Sequence, residues 1–179
     1  MPKNMPSTGA ADHVFTVIFF GGANVGITSL VERETFDFTA EYEWGVGIEA
    51  YKETVQVEGK KIDLIMFEMG KEKSFDIVSH SVKKGRAGIV MVYDVTNKRS
   101  LDELVTIYEH RKAAFADLPI LLVGNKIDLE DSRVIGPIEG KRAAQAMNGG
   151  FMETSVVDNK NVDKVFHTIA GMILASHGN

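Results

Sequence analysis

Nine residues, Gly21-Gly22-Ala23-Asn24-Val25-Gly26-Ile27-Thr28-Ser29, constrain this chain more than any other stretch. The apolar run Val14 to Phe20 leads into them, and a helical pattern begins near Thr28. Glycine, four residues, glycine, then two more ending in a hydroxyl is the spacing of a loop that cradles phosphate. The glycines permit backbone angles that turn successive N–H groups inward at a helix N-terminus, so backbone alone can hold a phosphate. The motif also requires lysine before the hydroxyl residue, and here Ile27 stands in that place. Holding a nucleotide and cleaving one are therefore separate questions for this chain.

The rest of the chain supplies matching strands and helices. Phe15 to Phe20 reads as a buried strand and Thr28 to Thr35 as a helix. Residues 36–47 show no period and read as a loop. Glu49 to Val57 and Ile62 to Phe67 form a hairpin about Glu58-Gly59-Lys60. Glu68 to Ser74 reads as a polar loop, with a helix after it to about Lys84. Ala87 to Tyr93 and Pro119 to Val123 are buried strands, and Phe151 to Thr154 is a short last one. Leu101, Leu104, Val105 and Tyr108 mark a helix between two of them; Pro137 to Met147 forms another. Val162, Val165, Phe166, Ile169, Met172 and Ile173 lie on one face of a final helix. This alternation predicts a mostly parallel six-stranded sheet with one antiparallel edge strand and helices on both faces. Ligands bind such sheets beyond the C-terminal strand ends, which gathers Gly21, Glu68, Asp94, Asn125 and Ser155 at one edge.

Asn125-Lys126-Ile127-Asp128 follows one of these buried strands. A carboxylate at Asp128 would accept two hydrogen bonds from the N1–H and 2-amino group of guanine. Adenine offers no such pair of donors. The aliphatic stem of Lys126 would cover the ring face, and Asn125 would tie this loop to the phosphate loop. The bland reading is a polar strand-to-helix turn.

Together these residues resemble a Ras-superfamily small GTPase, most closely of the Rab branch. Leu122 through Leu129 matches the family's base-binding stretch, and Glu153-Thr154-Ser155 its last nucleotide loop. Val92-Tyr93-Asp94-Val95-Thr96, Ser100-Leu101, and the segments Gly47-Ile48-Glu49 to Val57-Glu58-Gly59-Lys60 are similar to Rab sequences. The likeness covers about residues 13–175. It implies a P-loop G domain over residues 13–177; residues 1–12, polar and rich in Pro, Gly and Ser, read as a flexible segment before it. It also implies GTP or GDP with weakly held Mg²⁺. The nucleotide would lie on Gly21, Ala23, Asn24, Val25, Gly26, Ile27, Thr28, Ser29, Phe38, Asn125, Lys126, Asp128, Ser155 and Val156. Phe38 would stack at the guanine edge, or simply pack as a loop aromatic. The Val156 N–H would meet the base oxygen, and Thr28 would ligate Mg²⁺.

The departures from the family pattern lie in the phosphate half. Ile27 replaces the lysine. Gly45 falls where the first switch supplies threonine. Ungapped alignment puts Glu68 at the Walker-B-type aspartate, where it would reach Mg²⁺ through water. It puts Lys71 at the glycine that meets the γ-phosphate, and Glu72 at the glutamine that orients water. Shifting the register by one moves Lys71 to the glutamine position and restores nothing. Glu72 and Lys71 are the candidate catalytic residues, although a carboxylate beside the γ-phosphate is repelled by it unless protonated. Lys71 otherwise reads as an exposed surface residue. Trp44 is either a packed anchor or a partner contact in the first switch-like loop.

Composition narrows the partners. A net charge of −5 speaks against general affinity for nucleic acid, and the absence of cysteine excludes disulfides and thiolate chemistry. It also implies no direct lipid anchor on this sequence. With no apolar run of membrane-spanning length, a cytoplasmic monomer is expected, peripheral on endomembranes only through partners. Effectors and regulators would bind through residues 38–50 and 68–84. Three readings follow: a guanine-nucleotide switch in membrane traffic or signalling with slow or absent hydrolysis, a nucleotide-free scaffold of the same fold, and an active GTPase using an atypical residue.

Overall fold

A computed structural model of the chain describes residues 9–35, 50–69 and 86–177. Phe38, Gly45, Trp44, Lys71 and Glu72 lie outside them, as do the loop read at 36–47, the helix read up to Lys84 and most of the two partner segments. Residues 1–8 lie outside as well; Asp12, near the start of the described part, exchanges two hydrogen bonds of 2.8 Å with the backbone of Lys61.

The described residues form six strands, β1 (His13–Phe20), β2 (Ala50–Val57), β3 (Lys60–Met69), β4 (Ala87–Asp94), β5 (Ile120–Asn125) and β6 (Gly150–Glu153). They line up in the order β2-β3-β1-β4-β5-β6. Among these strands only the β2–β3 pair is antiparallel. Helices α1 (Ile27–Glu34), α2 (Lys98–Phe115), α3 (Pro137–Ala146) and α4 (Val162–Ser176) connect or follow the strands. The architecture is the one expected from the alternation of apolar runs.

Side-chain alternation along the central strands divides the core in two. Phe15, Val17 and Phe19 of β1 join Val90 and Val92 of β4 against α1 and α4. Ile18 and Phe20 join Ile89, Met91 and Tyr93 against α2 and α3. Both faces are covered, so these strands read as continuous apolar runs rather than alternating ones. Burying each such side chain contributes roughly 1.5–3 kcal/mol. The hairpin turn takes positive φ at Glu58 and Gly59, 52° and 75°, the handedness that matches the strands' own twist.

Most element ends shift by one or two residues, and two of these shifts bear on the site. Glu68 belongs to strand β3 and not to a loop: it pairs with Phe19, and Met69 after it pairs with Phe20 and is 2% exposed. An apolar methionine facing the core carries the strand past the polar glutamate. Asn125 is likewise the last residue of β5, paired with Asp94.

One core contact sets a test. On α3, a Cβ at Gly140 would stand 2.2 Å from the Tyr93 hydroxyl oxygen and 2.6 Å from Cε2 of Phe151. Helix propensity alone favours alanine there by about 1 kcal/mol. The close approach should reverse the sign, so Gly140→Ala is expected to destabilise the fold by about 1–3 kcal/mol. Chemical denaturation would measure it, and a variant as stable as wild type would show that α3 has room to shift outward.

Candidate functional site

The phosphate loop leaves β1 at the switch point of the sheet, where β3 lies to one side of β1 and β4 to the other. Gly26 precedes α1 with φ +97°, a region L side chains rarely adopt. A Cβ there would also stand 2.5 Å from Nδ2 of Asn125. That amide donates to the Val25 carbonyl at 2.9 Å, and its Oδ1 accepts from the Thr154 hydroxyl at 3.0 Å. Asn125 thus ties the phosphate loop, β5 and the loop after β6 into one unit. At 1% exposure the tie is shielded from water. Gly26→Ala is expected to break it, with a stability cost of about 2–3 kcal/mol and at least a tenfold loss of nucleotide affinity. Thermal unfolding and nucleotide titration of the purified variant measure the two effects separately.

The neighbouring residues are held as firmly. Lys126 has φ +68° and stretches across to the phosphate loop, where its ammonium donates to the Asn24 carbonyl at 2.5 Å and pairs with Asp94 Oδ2 at 2.7 Å. Burial would raise the Asp94 pKa, yet it lies below the ordinary value because Lys126 and the Thr96 hydroxyl and N–H hydrogen-bond its carboxylate. With both ends fixed, the aliphatic stem of Lys126 spans the space between the two loops. Asp128 Oδ1 accepts from the Ser155 hydroxyl at 2.6 Å, and Ser155 Oγ accepts from the Asp158 N–H at 3.0 Å. Among the described residues the Asp128 carboxylate has no other hydrogen-bond partner, so its remaining lone pairs fit a ligand's donors. Val156, half-buried, follows Ser155 and packs on the core.

At the other end, Thr28 is exposed and its hydroxyl lies 2.9 and 3.1 Å from the two carboxylate oxygens of Glu68. A hydroxyl that gives its proton to a carboxylate keeps lone pairs for a cation. Thr28 and Glu68 therefore fit a divalent ion such as Mg²⁺ in chemistry. Ala23, Asn24 and Ser29 are exposed along the same rim. Ile27 is not: at 4% exposure it belongs to the core cluster of β1 and α4, and its Cδ1 lies 2.8 Å from where a Cβ on Gly21 would stand. The residue that replaces the motif's cation is turned under the loop.

Of the residues singled out from sequence, the structure brings together the phosphate loop, Glu68, Asn125, Lys126, Asp128, Ser155 and Val156. Sequence reading places Asp94 at this sheet edge without a role, and it names neither Glu103 nor Arg133. Asp94 as the partner of Lys126 was legible only as a polar residue ending a buried strand. Glu103 of α2 has Oε2 3.1 Å from where a Cβ on Gly22 would stand, and nothing in the sequence marks it. Arg133 clamps Glu153, with its Nη1 2.6 Å from Oε1, and so steadies the strand that leads to Thr154 and Ser155.

Comparison with known proteins gives the family. The family model described as Ras family matches residues 16–175. Ras-related protein Rab-12 of Mus musculus is 37% identical over 167 residues, covering 92% of this chain and 69% of that protein. Ras-related protein Rab-13 of Rattus norvegicus is 33% identical over 171 residues, covering 94% and 84%. Ras-related protein Rab-10 of Caenorhabditis elegans is 33% identical over 169 residues, covering 92% and 83%.

Proposed function

This chain belongs to the Ras family of small GTPases, in its Rab branch, and from that premise we propose that it is a guanine-nucleotide-binding module of intracellular membrane traffic with weak or absent hydrolysis of its own. Support for the guanine half comes chiefly from one observation. Asp128, Asn125 and Lys126 are fixed by Ser155, by Val25 and Thr154, and by Asn24 and Asp94, so the base-reading groups stand ready without rearrangement. Support for weak chemistry comes from Ile27, buried beneath the loop where a lysine would meet the β- and γ-phosphates. Gly45 and Glu72, at the positions of the family's threonine and glutamine, point the same way.

Within this reading, Thr28 and Glu68 hold Mg²⁺ weakly, and residues 38–50 and 68–84 meet effectors and regulators. The polypeptide works as a monomer that reaches endomembranes through those partners. Competitive titration of the purified chain with GDP and ADP tests the base reading. GDP is expected to bind at least about a hundredfold more tightly, because the adenine edge leaves the carboxylate unpaired. Equal binding would refute it. The nucleotide-free scaffold has one observation in its favour, the same buried Ile27; saturable GDP binding would exclude it.

A further inference from the structure

We infer that Asp94 is a positioning residue for the guanine nucleotide: by holding the Lys126 ammonium it fixes the lysine stem as a platform for the base, and so sets how long a nucleotide stays bound. The inference rests on the guanine reading above and deepens it. Asp94 lies outside the stretch Asn125 to Asp128, at the end of the neighbouring strand β4, and acts through Lys126.

A free lysine side chain samples many rotamers, and ordering one on binding costs affinity. Here both ends of the stem are set beforehand. Lys126 takes φ +68° directly after Asn125, which pairs with Asp94 in the sheet. Its ammonium reaches the Asn24 carbonyl at 2.5 Å and Asp94 Oδ2 at 2.7 Å. Of these two acceptors the carboxylate is the stronger, because both partners are charged. Asp94 is itself held on several sides. Its Oδ1 accepts from the N–H and the hydroxyl of Thr96 at 2.8 and 2.7 Å, which leaves Oδ2 to the ammonium. Its N–H donates to the Ser100 hydroxyl at 3.0 Å, and its carbonyl accepts from the Asn97 N–H at 2.9 Å. With the Asp94 side chain 10% exposed and that of Lys126 30%, water competes for this pair less than for one on the open surface. An asparagine at 94 would keep an oxygen for Thr96 but turn an amide NH₂ toward the ammonium, so the turn survives while the hold on Lys126 is lost. The lysine stem covers a ring face whatever the edge of the purine carries, whereas Asp128 reads that edge. Asp94 therefore acts on affinity and residence and leaves base choice to Asp128.

The test is titration and displacement of GDP, inosine diphosphate and ADP on the full chain, as wild type, Asp94→Asn, Lys126→Met and the double variant. Inosine lacks the 2-amino group, so the ratio of GDP to inosine diphosphate affinity reads Asp128. Asp94→Asn is expected to weaken GDP by about tenfold, chiefly through faster release, with that ratio unchanged within about twofold. In the Lys126→Met background the same change should cost less than about twofold, since the group it acts through is gone. Unchanged GDP affinity in Asp94→Asn, the full loss in both backgrounds, or a ratio that collapses toward one would overturn the inference; a wild-type preference for GDP over ADP would then leave the base reading standing. ADP binding as well as GDP, or no binding by the wild type, would overturn both. Asp94→Glu keeps a carboxylate within reach of the ammonium and should stay within about threefold of wild type for GDP. A tenfold loss there would overturn the inference even if Asp94→Asn failed to fold.

Discussion

Asp128→Asn is expected to exchange guanine for xanthine as the preferred base, with the ratio of affinities moving by about 10³-fold or more. The carboxylate presents two acceptors, and guanine presents two donors to them. An amide presents one acceptor and one donor. The Ser155 hydroxyl, 2.6 Å from Oδ1, would keep the amide oxygen on its side and so fix which end is which. Xanthine keeps the N1–H but carries a carbonyl where guanine carries the amino group, so it matches the amide as guanine matches the acid. Sites that hydrogen-bond a substrate in this way reject the mismatched partner by about 10⁴–10⁵, because a buried polar group is left unpaired. The exposure of Asp128, which is only partly buried, argues for the lower figure. Titration of wild type and variant with GDP and xanthosine diphosphate reads the exchange. A variant that loses guanine without gaining xanthine would show that Asp128 holds the loop rather than the base.

Restoring the missing phosphate-side groups should act in two stages. Ile27→Lys alone is expected to tighten GTP by about tenfold to a few hundredfold, the worth of one charge-assisted hydrogen bond. It should change turnover little. Phosphoryl transfer requires charge neutralisation at the γ-phosphate and an oriented water together, and groups that act as a unit do not add independently. The triple variant Ile27→Lys, Gly45→Thr, Glu72→Gln should therefore recover more hydrolysis than the single change. Ile27 packs beside Gly21 and Val25 in the core, so a lysine stem would follow the same apolar path and carry its ammonium out at the rim. Binding that stays unchanged in a folded Ile27→Lys protein would mean that the loop itself has a different geometry.

Much of this was legible in the chain because the relevant signals are local. The phosphate loop announces itself by two glycines at fixed spacing, and each buried strand by an unbroken apolar run covered on both faces. The tetrapeptide Asn125 to Asp128, proposed to read the base, is recognisable because it follows such a strand, where ligands collect in this kind of sheet. What was less legible depends on contacts made across the sheet. Lys126 reads as a ring-covering stem; that its ammonium joins Asp94 to Asn24, 102 positions before it, emerges only when β1, β4 and β5 lie side by side. Glu68 looked like loop because it is polar, whereas the neighbour it pairs with, Phe19, and the burial of Met69 make it strand. Glu103 and Arg133 carry no local signature, since each acts through a partner far along the chain. The resemblance to Rab proteins named the family correctly, while the proposal that binding and cleavage are separated here rests on the phosphate half, read residue by residue.

Recognition without efficient cleavage is tested most directly by single-turnover hydrolysis. Protein loaded with γ-labelled GTP, and shown by filter retention to hold it, would be followed for release of labelled phosphate with no partner present. The expected rate is at or below about 10⁻⁴ s⁻¹, the slow unassisted rate of family members that keep the full machinery. A rate well above that would contradict the reading and show that another residue performs the chemistry, with Lys71 the first to replace.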